Sequence, residues 1–406
     1  MRTRSHVALG AAIAAAILAL VACASDEDAD LAAPDTQAKV PSMDSGTGDD
    51  AAPEDADADP AEPCLPDALC PNGPFDPNTQ GGGLDLRTRI NVIRGRSATD
   101  VWAAGARGAI AHFDGASWTV SETGSKESMI ALWLRDSGEV AAASLQSFYT
   151  RGLPVPEGDA DAAAPASAGG WTPIEPPGPP TVAVSAKHLT SAWMTSSAEW
   201  LWFTTMEVPS SSGTNPHNGL WRVHVSEATN SLEIADALPP DTCQVVGCLS
   251  MTSIHGVSAD DLWAVGYTGA AVHIEGAQSA TPKVTPFDTQ TWSGLNGVWV
   301  ASENDAWAVG GAGTIRHYTG QPVSWDIVSD VPATEDLHAV WGTSSSDIWV
   351  VGDAATVLHW DGSSWARVKV TGLGVRRPDL YAVWTPAPGH VWVGGDGVLL
   401  TLGGKP

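Results

Sequence analysis

From Ile90 to its C-terminus this chain repeats one pattern: an apolar strand, a Ser/Asp turn, an aromatic strand, a Gly turn and a third strand. Clear copies begin at Ile90, Ser253, Gly294, Leu337 and Leu380, and SDIWVVGDAATVLHWDGSSW at 346–365 shows the pattern well. The second-strand tryptophans Trp263, Trp307, Trp349 and Trp392 lie 44, 42 and 43 residues apart. A period of about 40 to 45 residues that holds short strands is that of a propeller blade, a unit that buries its apolar faces only against neighbouring copies.

Between Trp102 and Trp263 lie 161 residues, too many for one interval. Two degenerate copies fit there, ALWLRDSGEVAAASLQSFYTRG with GGWTPI from Ala131 and LTSAWMTSSAEWLWFTTM with GLWRVHV from Leu189. The expected fold is therefore all-β, a seven-bladed β-propeller. Eight blades would need another hidden in 226–250, and six would discount the copy at Ala131, which lacks the second-strand tryptophan. The last copy stops at Gly404 without a fourth strand, and an open sheet edge is a liability. The segment around Phe75 to Leu86 is the expected donor that closes the ring.

Recurrence decides how the conspicuous residues are read. Trp102, Trp263, Trp307, Trp349 and Trp392 share one slot in strands apolar on both faces, which suits packing between blades. Trp118, Trp171, Trp325 and Trp365 fall in the outer strand and are expected to be partly exposed. Asp100, Asp261, Asp305 and Asp347 precede the second strand, where a carboxylate caps the amides of a tight turn. His112, His273, His317 and His359 occupy another shared slot, too widely separated in a ring to hold one metal ion, and are read as bonded to an adjacent strand.

The turn DGSSW at 361–365, with DGASW at 114–118, resembles the Asp-box of sialidase-type BNR propellers, with one residue fewer between Asp and Trp. More broadly, D-hydrophobic-W-A-V-G followed by G-x-I-x-H-x-D-G-x-x-W resembles the repeat of exported bacterial lipoproteins, common in myxobacteria, with BNR or WD-repeat-like propellers. This resemblance covers about residues 90–404 and implies fold and location better than activity, because propellers host enzymes, lectins and scaffolds alike.

The N-terminal segment is of a different kind. Arg2 and Arg4 precede an apolar run from Val7 to Ala22, which ends in LVAC with Cys23 last. That is a signal peptide, and the run is short of the roughly 20 residues of a membrane-spanning helix. LVAC resembles the lipobox of bacterial lipoproteins and implies lipidation at Cys23, hence a chain anchored to the membrane, in an outer-membrane setting that is periplasmic or surface-exposed. Residues 24–70 are read as a disordered acidic tether and 71–406 as the propeller: residues 24–80 hold 15 Asp or Glu against the single Lys39, with no apolar periodicity. Without Arg2 and Arg4 the chain keeps 47 acidic residues against 18 basic ones, which disfavours nucleic acid and anionic lipid as partners. Of the remaining cysteines, close spacing favours Cys64 with Cys70 and Cys243 with Cys248, although three connectivities are possible.

If the repeats carry architecture, function belongs where they differ. The third copy departs twice on one face, at 206–219 and at 226–248, and supplies Asn215, His217, Asn218 and Trp221 as candidate ligand-binding groups. No GxSxG, HExxH or GxxxxGK[ST] occurs, and Arg376 and Arg377 do not make the arginine cluster that sialidase chemistry requires. No catalytic residue, metal or cofactor is assigned. The expected function is a monomeric, lipid-anchored binding or scaffolding module for protein or glycan; the alternative is a glycosidase or lyase built from carboxylates scattered around the channel.

Overall fold

The computed structural model describes residues 63–75, 83–136, 138–153, 166–176, 187–195, 198–207, 218–226, 231–239 and 241–404, all within one compact unit, Ala58–Pro406. Cys23, most of the acidic segment, Asn215 and His217 lie outside the described residues. Within them the chain forms seven four-stranded antiparallel sheets, a seven-bladed β-propeller.

A short strand, β1 (Leu69–Pro71), comes first and belongs to the last blade. The first blade is β2 (Ile90–Ser97), β3 (Asp100–Gly105), β4 (Ala109–Phe113) and β5 (Trp118–Glu122); the second is β6 (Ala131–Arg135), β7 (Gly138–Ala142), β8 (Phe148–Arg151) and β9 (Thr172–Ile174). The third comprises β10 (Lys187–Trp193), β11 (Trp200–Glu207), β12 (Leu220–Ser226) and β13 (Ser231–Asp236), followed by the short helix α1 (Thr242–Val246). The fourth is β14 (Met251–Gly256), β15 (Asp261–Gly266), β16 (Ala270–Glu275) and β17 (Lys283–Asp288), and the fifth β18 (Leu295–Ser302), β19 (Asp305–Gly310), β20 (Thr314–Tyr318) and β21 (Asp326–Ile327). The sixth is β22 (Leu337–Ser344), β23 (Asp347–Gly352), β24 (Val357–Trp360) and β25 (Trp365–Arg367); the seventh is β26 (Leu380–Ala387), β27 (His390–Gly395) and β28 (Val398–Leu402). Both degenerate copies are thus complete blades.

The second strands are buried on both faces: in β3, β15, β19, β23 and β27 every residue after the first is buried. Their tryptophans lie between blades, as expected. The outer-strand tryptophans correct the expectation of partial exposure. Trp171 and Trp325 are wholly buried and Trp118 and Trp365 nearly so, because each meets the second-strand tryptophan of the preceding blade edge to face. The pairs are Trp102–Trp171 (6.0 Å between centroids), Trp263–Trp325 (5.0 Å), Trp307–Trp365 (5.6 Å) and Trp392–Trp118 (5.5 Å). The last joins the seventh blade to the first. Such geometry matches the charge distribution of the rings and adds about 0.5–1.5 kcal/mol to the area they bury.

Ring closure also differs from expectation. The donor is β1, upstream of Phe75–Leu86, and pairs antiparallel with β28, Leu69 opposite Leu402 and Pro71 opposite Leu400. The propeller therefore begins before residue 71. Leu69 takes the outer-strand position that Trp118 and Trp365 hold elsewhere, and shares a cluster with Trp349 of the sixth blade. Its backbone is also bonded to the chain leaving that blade, accepting from Thr371 N and donating to Lys369 O. Cys64 and Cys70 form a disulfide beside this strand, and Gly403 N donates to Ala68 O. A pattern search misses β1 because it contains no tryptophan and no DG turn.

In the first, fourth and fifth blades the hairpin from second to third strand has two consecutive residues at positive φ, Arg107–Gly108, Thr268–Gly269 and Ala312–Gly313. A Cβ on the second residue of these pairs would fall 2.0–2.2 Å from a carbonyl oxygen. The sixth blade instead places Ala355 there, at φ 59°, a conformation that costs an L-residue roughly 1–2 kcal/mol. Ala355→Gly is expected to raise stability by about 1 kcal/mol; an unchanged urea midpoint at equal slope would count against strain at this turn.

Candidate functional site

Three sets of residues compete for a functional role: the repeated Asp, His and Trp, the loop residues of the third blade, and the side chains on the ring axis. The first set is structural. Trp102, Trp263, Trp307 and Trp349 are the cross-strand partners of His112, His273, His317 and His359, and each imidazole stacks on its indole with centroids 3.8–4.6 Å apart. Nε2 of these histidines lies 2.8, 3.0, 2.9 and 2.8 Å from Oδ1 of Asp100, Asp261, Asp305 and Asp347 respectively. An ionised carboxylate only accepts, so the imidazole N–H donates. The indole N–H of Trp102, Trp307 and Trp349 donates to the same oxygen.

The aspartates therefore do not cap their turns, as their position suggested; serine does, Ser97 Oγ accepting from Thr99 N and Ser258 Oγ from Asp260 N and Asp261 N. In the DGxSW turns the aspartate is the cap, with Asp361 Oδ1 accepting from Ser363 N and Ser364 N, each at 2.8 Å. Among the described residues no group of His, Cys, Asp or Glu is arranged to hold a metal ion.

Burial works to raise the Asp305 and Asp347 carboxyls, but the hydrogen bonds outweigh it: those from His317 and Ser345 to Asp305, and those from Thr343 and His359 to Asp347. Both sit below the ordinary Asp value of 3.8. A depressed carboxyl contributes stability that is complete above the unfolded value and is lost as pH falls through the folded one. Urea midpoints measured from pH 7 down to 2 are expected to hold until about pH 4 and then fall. Asp347→Asn should flatten part of that fall, and an acid limb unchanged in that variant would contradict the assignment.

The second set does not form a recognition surface in the described part. Trp221, expected to face a ligand, is fully buried in the core between the second and third blades, its indole N–H donating to Thr205 Oγ1 and Asn218 O. Its strand is buried on both faces, Leu220 packing toward the fourth blade and Trp221 toward the second. Asn218 is half-buried; its Oδ1 accepts from Leu220 N and lies 3.1 Å from Cys243 Sγ. Cys243 and Cys248 form a disulfide across the end of α1, both sulfurs buried beneath the fourth blade. These residues build the turn.

The third set was invisible to motif searches. The seven first strands line the ring axis, and a small cavity of about 110 Å³ follows them. At its start the slots Asn91, Thr190, Thr252 and Asn296 each bond a backbone carbonyl of the next blade, of Met129, Met251, Leu295 and Leu337. Three residues further on, the same strands place Arg94, Trp133, Trp193, His255, Trp299, Trp341 and Trp384, the cross-strand partners of the second-strand slot in all seven blades. Five tryptophans, one arginine and one histidine thus form a collar. Trp133, Trp299 and Trp384 are buried between blades, Trp299 and Trp384 packing over Gly342 and Gly95, where a Cβ would collide with them.

The other four meet across the axis. Trp193 of the third blade lies 6.1 Å from Trp341 of the sixth, His255 of the fourth stands edge-on to Trp341 at 5.0 Å, and the Arg94 guanidinium of the first sits 4.6 Å above the Trp341 ring. Beyond this crossing the channel widens into an open recess of about 190 Å³, lined by Arg94, Trp133, Leu134, Trp193, Met194, Trp341 and Trp384 among others. Burial pulls the Arg94 guanidinium down to about 10, still charged at neutral pH, and pushes the His255 imidazole well below its ordinary value, with the Arg94 charge adding to it. No Asp or Glu is among the residues lining either cavity. What the site offers is a flat apolar wall and one positive charge.

No family model matches the chain, and no curated protein matches it. Solved structures do, as folds. The chain is similar to YCF48 from Cyanidioschyzon merolae (TM-score 0.56, 12% identity, 79% of this chain and 97% of that one) and to YCF48 bound to D1 peptide (0.55, 12%, 79% and 94%). It is also similar to virginiamycin B lyase from Staphylococcus aureus (0.55, 13%, 78% and 94%) and to the WD40 propeller domain of Doa1 (0.52, 10%, 78% and 93%). At these identities the likeness is one of fold.

Proposed function

We propose that this protein is a lipid-anchored binding module of the bacterial cell envelope, which takes a protein or glycan partner at the collar end of its ring axis. The observation that carries the reading is the recess itself: it is concave, walled by Trp133, Trp193, Trp341 and Trp384, and supplied with one charged group, the profile of a site that orients a ligand rather than transforms it. Glycoside hydrolysis needs two carboxyl groups about 5 to 9.5 Å apart, and neither axial cavity has one among its described lining. Propellers of similar fold include one solved with a peptide and one that is a lyase, so the fold itself is neutral between binding and catalysis.

Location rests on the LVAC sequence ending at Cys23 and on the acidic segment after it. Two or more acyl chains would hold the protein stably at a bilayer, where one gives only marginal binding. Cys23→Ser is expected to move the protein from the membrane to the soluble fraction of its native host; retention in the membrane fraction would argue against the anchor.

The full-length protein immobilised on beads should retain a partner from envelope extract or from a glycan array without releasing product. Trp193→Ala should weaken that retention by about 30-fold, the size of effect seen when a central aromatic anchor is truncated. Turnover of any polysaccharide, or binding indifferent to Trp193, would overturn the reading.

A further inference from the structure

Resting on that reading, we infer that the recess receives the C-terminal carboxylate of a peptide chain whose last side chain is apolar, with the Arg94 guanidinium as the donor that orients it. Two independent features of the collar lead there.

The first is a guanidinium with no anionic partner among the described residues. Arg94 spends one N–H on the carbonyl of Ile93, and no carboxylate is paired with it among the described residues, although the guanidinium carries five donors in a fork suited to a carboxylate. The Arg96 side chain, two residues along the same strand, shows the contrast: it bonds Asp100 and Glu139 and the carbonyl of Arg135. His255 is 6% exposed. Its Nδ1 accepts from Val300 N at 3.2 Å, so in the neutral ring the proton resides on Nε2, and that N–H is buried with no partner. A buried donor without an acceptor costs about 1–3 kcal/mol. An anion in the recess meets the Arg94 guanidinium, which lines both cavities, while His255 lines the smaller cavity on the other side of the crossing.

The second is the character of the walls. Apart from Arg94, the side chains around the recess are Leu132, Trp133, Leu134, Ala192, Trp193, Met194, Trp341 and Trp384, which offer carbon surface and indole rings and no side-chain acceptor. A sugar would bury several hydroxyls there with nothing to accept from them. The chain as a whole carries a formal charge of −27, which repels polyanions such as polyuronates or nucleic acid at distance but not a neutral or basic peptide with one terminal carboxylate. The recess is open on one side, which lets a terminal residue enter with the rest of the peptide leaving through that side.

Fluorescence anisotropy on the full-length protein tests this with a six-residue peptide, labelled at its N-terminus, containing one lysine and ending in phenylalanine with a free carboxylate, against the same peptide as its amide. The acid is expected to bind at least tenfold more tightly. Arg94→Gln should remove that preference by weakening the acid to the level of the amide, and Arg94→Lys, which keeps the charge without the fork, should retain part of it; melting curves show which variants are folded. Equal binding of acid and amide, a preference that survives in both folded variants, or no binding of either peptide overturns the inference. So does competition by N-acetylphenylalanine as strong as by the unlabelled acid peptide, which would mean a free small acid is the occupant. Retention of an oligosaccharide in place of the peptides would overturn it while leaving the binding-module reading intact, whereas release of product from a retained polymer would overturn that reading instead.

Discussion

A sheet whose second strand is buried on both faces cannot be stable alone, and the rest of this structure follows from that constraint. Each blade needs a neighbour on each side, and only a closed ring provides one for every member. The edge-to-face pairs of tryptophan are the clearest expression of it: Trp263 with Trp325 and Trp307 with Trp365 tie one blade to the next, and Trp392 with Trp118 ties the last to the first. At β1, one of three outer strands with no tryptophan in it or directly before it, Leu69 fills the position against Trp349.

The same constraint explains why the histidines and aspartates that look catalytic are not. A tryptophan buried between blades brings a polar indole N–H with it, and a buried donor needs an acceptor. Asp100, Asp305 and Asp347 supply one, and the stacked histidines hold each carboxylate from the neighbouring strand. The indole N–H groups of Trp263 and Trp392 are buried without a partner, whereas the third blade replaces the cluster. In the third blade Trp202 donates instead to Ala277 O of the fourth, while Gln278 bonds the backbone of Trp200 in both directions.

Once the repeated polar groups are occupied in this way, the ring axis is left as the place where side chains differ from blade to blade. The collar is one register position sampled seven times. Five samples are tryptophan, and the two that are not, Arg94 and His255, lie on the first and fourth blades and meet Trp341 of the sixth across the axis. A ring construction thus brings together residues separated by up to 247 positions in the chain without any of them belonging to a motif.

How much was legible in the sequence follows the same division. The period of the second-strand tryptophans determines the blade, its strand order and the count of seven, because packing between blades demands a large apolar residue at one slot in each. Both disulfides were legible from spacing. Three things were not: that the outer tryptophans are buried, that β1 rather than a later segment closes the ring, and that Trp221 faces the core. Each depends on which surface a strand meets in the neighbouring blade, a contact distant in sequence. The collar is the strongest case. VIRG, LWLR, SAWM, SIHG, GVWV, AVWG and AVWT carry no shared motif as strings; only antiparallel pairing to the second-strand slot puts their third residues, or in LWLR the second, at one height, and only closure of the ring turns that height into a site.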